Sequence, residues 1–181
     1  MSKNNRFLKG DTHSIIAPVH SYHDVEAGDL MLLNNTNGYE GVNTTADNYA
    51  FPFDYCKFAS ASMGTGMAEA VHSAFLGVAM ESSPSGVTEN ITIATAGIFR
   101  YPVHTARVGG AVTIGSTVHA VSNSLDAGVS PQSVSFGSSS ADTISSTAIL
   151  GFIVKTDSGV SFVDIQIRTA FGPSGKITGQ P

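Results

Sequence analysis

Leu76-Gly77-Val78-Ala79-Met80-Glu81-Ser82-Ser83-Pro84-Ser85-Gly86-Val87 runs into Ile91-Thr92-Ile93-Ala94-Thr95-Ala96, and Leu150-Gly151-Phe152-Ile153-Val154-Lys155-Thr156-Asp157-Ser158-Gly159-Val160 runs into Ile165-Gln166-Ile167-Arg168-Thr169-Ala170. Each copy reads Leu-Gly, an apolar stretch, a Ser-Gly turn and an alternating strand that ends in Thr-Ala. That is the pattern of a β-hairpin, with period-two hydrophobicity on either side of a turn. One supersecondary unit is therefore used twice. Two copies are too few for a solenoid, which buries its core by stacking three or more repeats, so the expectation is one β-domain with internal pseudo-symmetry.

Working outward, Val25 to Leu33 reads as a turn followed by an apolar strand, and Val112 to Val121 holds the corresponding place in the second half as a weaker match. Gly28 to Leu76 spans 48 positions and Gly115 to Leu150 spans 35, so the first half carries 13 more residues, expected between Asn43 and Met63. Asn37-Gly38 is a hairpin-turn signal, because both central residues of a type I′ turn need positive φ. Gly66 to Phe75, with Met67, Ala70, Val71 and Ala74 near a 3.6 period, predicts one short helix. The Ser-rich stretch from Ser133 to Thr147 reads as a long loop. The predicted fold class is all-β: a small β-barrel or β-sandwich with an internal pseudo-repeat, one short helix and an extended N-terminal arm. The arm covers residues 1–24, with a short strand at Ser14 to Val19. The β-domain covers 25–171, with repeats of about 25–99 and 108–171, and a tail covers 172–181.

Composition agrees with that class. Of the 181 residues only 13% are charged; 19 are glycine and none is tryptophan, which suits short strands joined by tight turns. The net charge of -5 is unevenly placed. Lys3, Arg6 and Lys9 stand in the first ten residues, where no acid occurs, and the rest of the chain has six bases against fourteen acids. A net-acidic body without a basic, aromatic-lined face repels phosphates, so nucleic acid is not an expected partner. The start has no apolar run of signal-peptide type and no window is long enough to cross a bilayer, so no membrane partner is expected and synthesis in a cytoplasm is. The single Cys56 forms no internal disulfide and reads as a buried thiol in the aromatic stretch Phe51 to Phe58.

Motifs for chemistry are scarce. His20-Ser21-Tyr22-His23-Asp24, with His13 upstream, holds imidazoles and a carboxylate of the kinds that zinc uses, yet three or four ligands must converge, and a surface or interface role is the preferred reading. His72, His104 and His119 read as ordinary helix or strand residues. No Gly-x-Ser-x-Gly nucleophile elbow and no phosphate-cradling Gly-x-x-x-x-Gly-Lys loop occurs. The three Asn-x-Thr triplets read as polar turns. No enzymatic activity, cofactor or metal is expected.

The ordered series Gly28-Asp29-Leu30, Phe75-Leu76-Gly77-Val78-Ala79-Met80, Ile91 to Phe99 followed by Pro102, Val108-Gly109-Gly110 to His119-Ala120, and Ile149-Leu150-Gly151-Phe152 resembles the capsid cement, or head decoration, proteins of tailed bacteriophages. It covers about residues 25 to 171. The resemblance implies a β-barrel or β-sandwich core and a non-enzymatic role on the outer surface of the virion capsid. Members commonly form homotrimers between capsomers, so the implied partners are the major capsid protein and other copies of the chain. On this reading the arm residues Arg6, Phe7, Leu8 and Lys9 lie across a shell subunit, where burial of Phe7 and Leu8 offsets the entropy of ordering the arm. Tyr49, Phe51 and Tyr55 form a second expected capsid contact, with a core role for Phe51 equally open. The alternative is a receptor- or glycan-binding β-module of a virion tail or fibre, for which five tyrosines without tryptophan make a poor supply of sugar-stacking rings.

Overall fold

Ile91 and Ile93 of one strand face inward while Asn90 and Thr92 face outward, whereas Leu30–Leu33, Ala50–Pro52 and Phe75–Ala79 bury residues on both faces, and strands of these two kinds pair into two closed barrels. The computed structural model describes residues 7–9, 13–33, 49–55, 74–108, 112–123, 128–136, 149–157 and 161–169. Among these the strands are β1 (Phe7–Lys9), β2 (Ser14–Val19), β3 (Leu30–Leu33), β4 (Ala50–Pro52), β5 (Phe75–Ala79), β6 (Glu89–Ala94), β7 (Ala96–Val108), β8 (Thr117–Asn123), β9 (Gly128–Phe136), β10 (Ile149–Thr156) and β11 (Phe162–Arg168). Phe53–Tyr55 makes one turn of 3-10 helix. Among the described residues no helix is long and apolar enough to cross a membrane.

The first barrel closes in the order β2-β4-β3-β5-β6. The second runs β7-β9-β8-β10-β11, closed by the pairing of β7 with β9, and β1 is added along β7. The two orders are the same once β2 is matched to β7, β3 to β8, and so on. In each barrel the first strand runs parallel to the third, with Val19 opposite Ala50 and Val103 opposite Val134, and every other pairing within a barrel is antiparallel. The fold is therefore all-β, with two five-stranded mixed barrels in tandem.

The repeated Leu-Gly pair explains how so few strands close. Between β3 and β5, Met31 pairs with Gly77 and Leu32 with Phe75, so Leu76 is skipped. Between β8 and β10, Val118 pairs with Gly151 and His119 with Ile149, so Leu150 is skipped. Each barrel thus has a β-bulge at the same place, and a bulge bends its strand and increases twist, as a small closed sheet requires. Both bulged leucines are buried. The glycine after each lets the backbone approach its neighbour: a Cβ on Gly77 would collide with the Ala94 carbonyl, and one on Gly151 with the Gln166 carbonyl.

The turn entering the second strand is duplicated as well. Gly28 N–H donates to the Ala79 carbonyl at 2.7 Å, and Gly115 N–H donates to the Ile153 carbonyl at 2.8 Å. Both glycines have positive φ, 98° and 89°, which explains the residue type in this turn.

The barrels share a core. Ala17, Val19, Met31, Leu76, Ile91 and Ile93 form a cluster confined to the first barrel. The neighbouring positions of its β3, β4 and β5, namely Leu30, Leu32, Phe51, Phe75 and Val78, join Phe99, Val118, Val134, Leu150 and Ile165 of the second in one continuous cluster. Buried polar contacts also cross between the barrels: Tyr101 Oη donates to the Gly28 carbonyl at 2.9 Å, and Leu30 N–H donates to Gln132 Oε1 at 2.7 Å. Where the first barrel has Leu30, Leu32 and Phe51, the second has Thr117, His119 and Ser135 at the matching register positions.

Several expectations are revised. The stretch read as an arm contributes β2 to the first barrel and β1 to the edge of β7, so the repeats run from about 13 to 95 and from 96 to 169. Of the 13 extra residues in the first half, ten lie between β4 and β5, where 22 residues stand against 12 between β9 and β10. Ser133 to Phe136, read as loop, belongs to β9, because Val134 and Phe136 alternate with Ser135. Phe75, read as the end of a helix, opens β5; residues 66–73 of that helix, the Asn37-Gly38 turn, Cys56 and the 172–181 tail lie outside the described residues.

Candidate interaction surface

The link from β2 to the turn before β3 carries an aromatic cluster at one end of the first barrel. The link is held by backbone bonds: His23 N–H donates to the His20 carbonyl at 3.0 Å, and Gly86 N–H donates to the Ser21 carbonyl at 2.7 Å. Tyr22 N–H donates to His20 Nδ1 at 3.3 Å, which makes that nitrogen an acceptor. The Tyr22 ring stacks on His20 with centroids 4.5 Å apart and planes at 28°, and Tyr49 meets the same imidazole edge-on at 5.2 Å. Behind them His23 contacts Tyr55 edge-on at 4.7 Å and lies 6.0 Å from the Phe51 ring. Asp24 N–H donates to Tyr55 Oη at 3.3 Å. Tyr22 is 61% exposed, Tyr49 and Tyr55 are half-buried, and the Asp24 and Asp54 side chains are exposed.

His23 is buried, and its Nδ1 has no hydrogen-bond partner among the described residues. Burial, with a smaller contribution from His20, lowers its pKa to about 4, so the ring is neutral at physiological pH. Among the described residues no three His, Cys, Asp or Glu side chains converge as metal ligands. His13 is exposed, and its carbonyl oxygen serves the backbone of Thr95.

The expected contact residues fall in different places. Tyr49 and Tyr55 join the exposed cluster. Phe51 does not: it is fully buried in the shared core, because β4 turns it toward the second barrel, and its side chain presents nothing to a partner. Phe7, Leu8 and Lys9 form β1, paired with Phe99 and Ile98 of β7, so this part of the chain is an edge strand rather than a free arm. Arg6 lies outside the described residues. A surface or interface role is the sequence expectation for His13, His20 and His23; His13 is exposed and His20 half-buried, but His23 is buried against Tyr55 and Phe51. The sequence does not connect this stretch with Tyr49 and Tyr55, since about thirty residues separate the two groups. The Pro-Val-His tripeptide at 18–20 and again at 102–104 was an available signal that β2 and β7 are equivalent.

Fold and surface together define an all-β protein of two fused barrels with an aromatic cluster and the exposed Asp24 at one end of the first. No family model matches this chain, and no curated protein or solved structure matches it either.

Proposed function

We propose that this chain is a capsid cement protein that binds the outside of a phage head and stabilises contacts between capsomers of the major capsid protein. The observation that carries the reading is the tandem of closed barrels with a shared core. Closure pairs the strand edges within each barrel, so attachment falls to side chains on a rigid body and to the outer edge of β1. A staple between capsomers has this requirement, and two barrels on one chain offer separate points of attachment whose modest affinities multiply through avidity. The segments that carry the resemblance to decoration proteins include β3, β5, β6, β8 and β10, the framework of both barrels. Self-association as a homotrimer belongs to the same proposal. Residues 7–9 already pair with β7, so a shell contact through them uses the outer edge of β1.

A second reading, the receptor- or glycan-binding module of a tail or fibre, is favoured by one feature: three of the five tyrosines, Tyr22, Tyr49 and Tyr55, meet at one end of the first barrel. Quantitative mass spectrometry of purified particles separates the two. Copies in a simple lattice ratio to the shell protein support the cement reading; a few copies per particle point to a tail or fibre; absence from particles overturns both. Deleting residues 2–10 is expected to lower head occupancy while both barrels remain folded, and unchanged occupancy would remove the N-terminal segment from the interface.

A further inference from the structure

Two barrels of one topology need not differ in charge, yet these do. Residues 13–95 contain nine Asp or Glu and a single Lys, whereas residues 96–169 contain four acids and four bases. Uncompensated negative charge opposes compaction through self-repulsion, and the second barrel has the same strand order without it. The acidity of the first barrel is therefore not a demand of the fold.

We propose that the end of the first barrel formed by His20, Tyr22, Tyr49, Tyr55 and Asp24 binds a basic, arginine- or lysine-bearing polypeptide segment. The decoration reading enters only in naming that segment as part of a shell protein. The Tyr22 ring is exposed but not free to turn away, since it stacks on His20, which in turn meets Tyr49. A fixed, solvent-facing π surface is a platform for a guanidinium or ammonium group. Asp24, tied through its backbone to Tyr55, adds an exposed acidic residue beside the rings, whereas the Asp54 carboxylate accepts from Gln132 Nε2 and is already engaged. The neutral His23 behind them adds no positive charge. Polyanions are repelled by this barrel, and a neutral sugar would use the rings but none of the charge.

The test is an NMR-monitored titration of the full chain with an alternating Arg-Gly peptide, its Glu-Gly counterpart and a neutral glucose oligosaccharide. The Arg-Gly peptide is expected to shift the signals of residues 20–24 and 49–55, and to bind more weakly as salt is raised. Tyr22→Ala should weaken that binding roughly two- to fivefold, and Tyr22→Phe, which keeps the π face, should restore it. Asp24→Asn should weaken binding and flatten the salt dependence. Tyr22 is exposed, so unchanged signals elsewhere establish that the variants are folded. An equal response to the Glu-Gly peptide, binding indifferent to Tyr22→Ala, or a response to the oligosaccharide alone overturns the proposal, the last in favour of a glycan site. Peptide binding by a chain that is absent from particles supports this site and overturns the decoration reading. Decoration of heads by a chain that ignores the peptide does the reverse.

Discussion

Thr169 Oγ1 donates a hydrogen bond to the Thr95 carbonyl at 3.2 Å, just as Thr95 Oγ1 donates to the His13 carbonyl at 3.1 Å. Each threonine follows the last strand of its barrel, and each bonds to the residue that precedes the first strand. Thr95 does both, because one residue separates β6 from β7. The hydroxyls thus fasten the last strand to the first at the same seam in both barrels. Thr95→Val and Thr169→Val, which keep the side-chain shape and remove the donor, should each cost about 0.5–1.5 kcal/mol in denaturant unfolding. The Thr95 change should cost less, since the His13 carbonyl still receives the Thr95 N–H at 2.7 Å.

Gly77→Ala and Gly151→Ala should each destabilise by about 3 kcal/mol, because the added methyl meets backbone of the adjacent strand, which cannot move aside. Gly115→Ala, in open space at φ 89°, should lose only the left-handed backbone preference, about 1–2 kcal/mol. Thermal or denaturant midpoints of the three variants check the ranking; equal losses at all three would remove the close-approach explanation of the Leu-Gly motif.

Gln132 carries a positive φ of 48° and spans the barrels, accepting from Leu30 N–H and donating through Nε2 to Asp54 Oδ1 at 3.3 Å. Gln132→Leu leaves a buried Leu30 N–H without its side-chain acceptor and should cost about 1–3 kcal/mol. Tyr101→Phe, at another crossing contact, removes the donor to the Gly28 carbonyl and should cost about 1 kcal/mol. Both should lower the unfolding midpoint of a single transition, because the core is continuous between the barrels. Two separated transitions in the wild type would contradict that continuity.

Stability should fall as pH drops from about 6.5 toward 4. The His23 pKa is lowered from 6.5 to about 4 in the folded chain, so over that window the unfolded chain binds the proton and the folded chain does not. The stabilisation is complete above the unfolded value and is lost as pH falls through the folded one. His119, also lowered by burial, acts with the same sign. His23→Phe retains a ring against Tyr55 and Phe51, and should flatten the pH dependence of the unfolding midpoint in this window without loss near pH 7. A parallel slope in wild type and variant would assign the effect elsewhere.

The Leu-Gly hairpin motif, the turn glycines and the period-two alternation were legible along the chain because each is set by neighbours in sequence: a bulge needs its Leu-Gly, a turn needs positive φ, a strand needs alternate faces. From these the all-β class and the doubled unit follow from residues 76–96 and 150–170 alone. Closure was not legible in the same way. The parallel contacts of Val19 with Ala50 and of Val103 with Val134 join strands that are not adjacent in the chain, and no local pattern encodes them. For that reason the sequence of β2 resembles part of an arm and that of the β9 residues 133–136 a loop. The same separation hid the candidate surface: Tyr22, Tyr49 and Tyr55 carry no shared motif, and only the rolling of β2 and β4 into one barrel brings their rings around His20 and His23. Local stereochemistry thus determined the units and their repetition, and long-range strand pairing decided which strands close each barrel, which aromatic residues are buried and which face a partner.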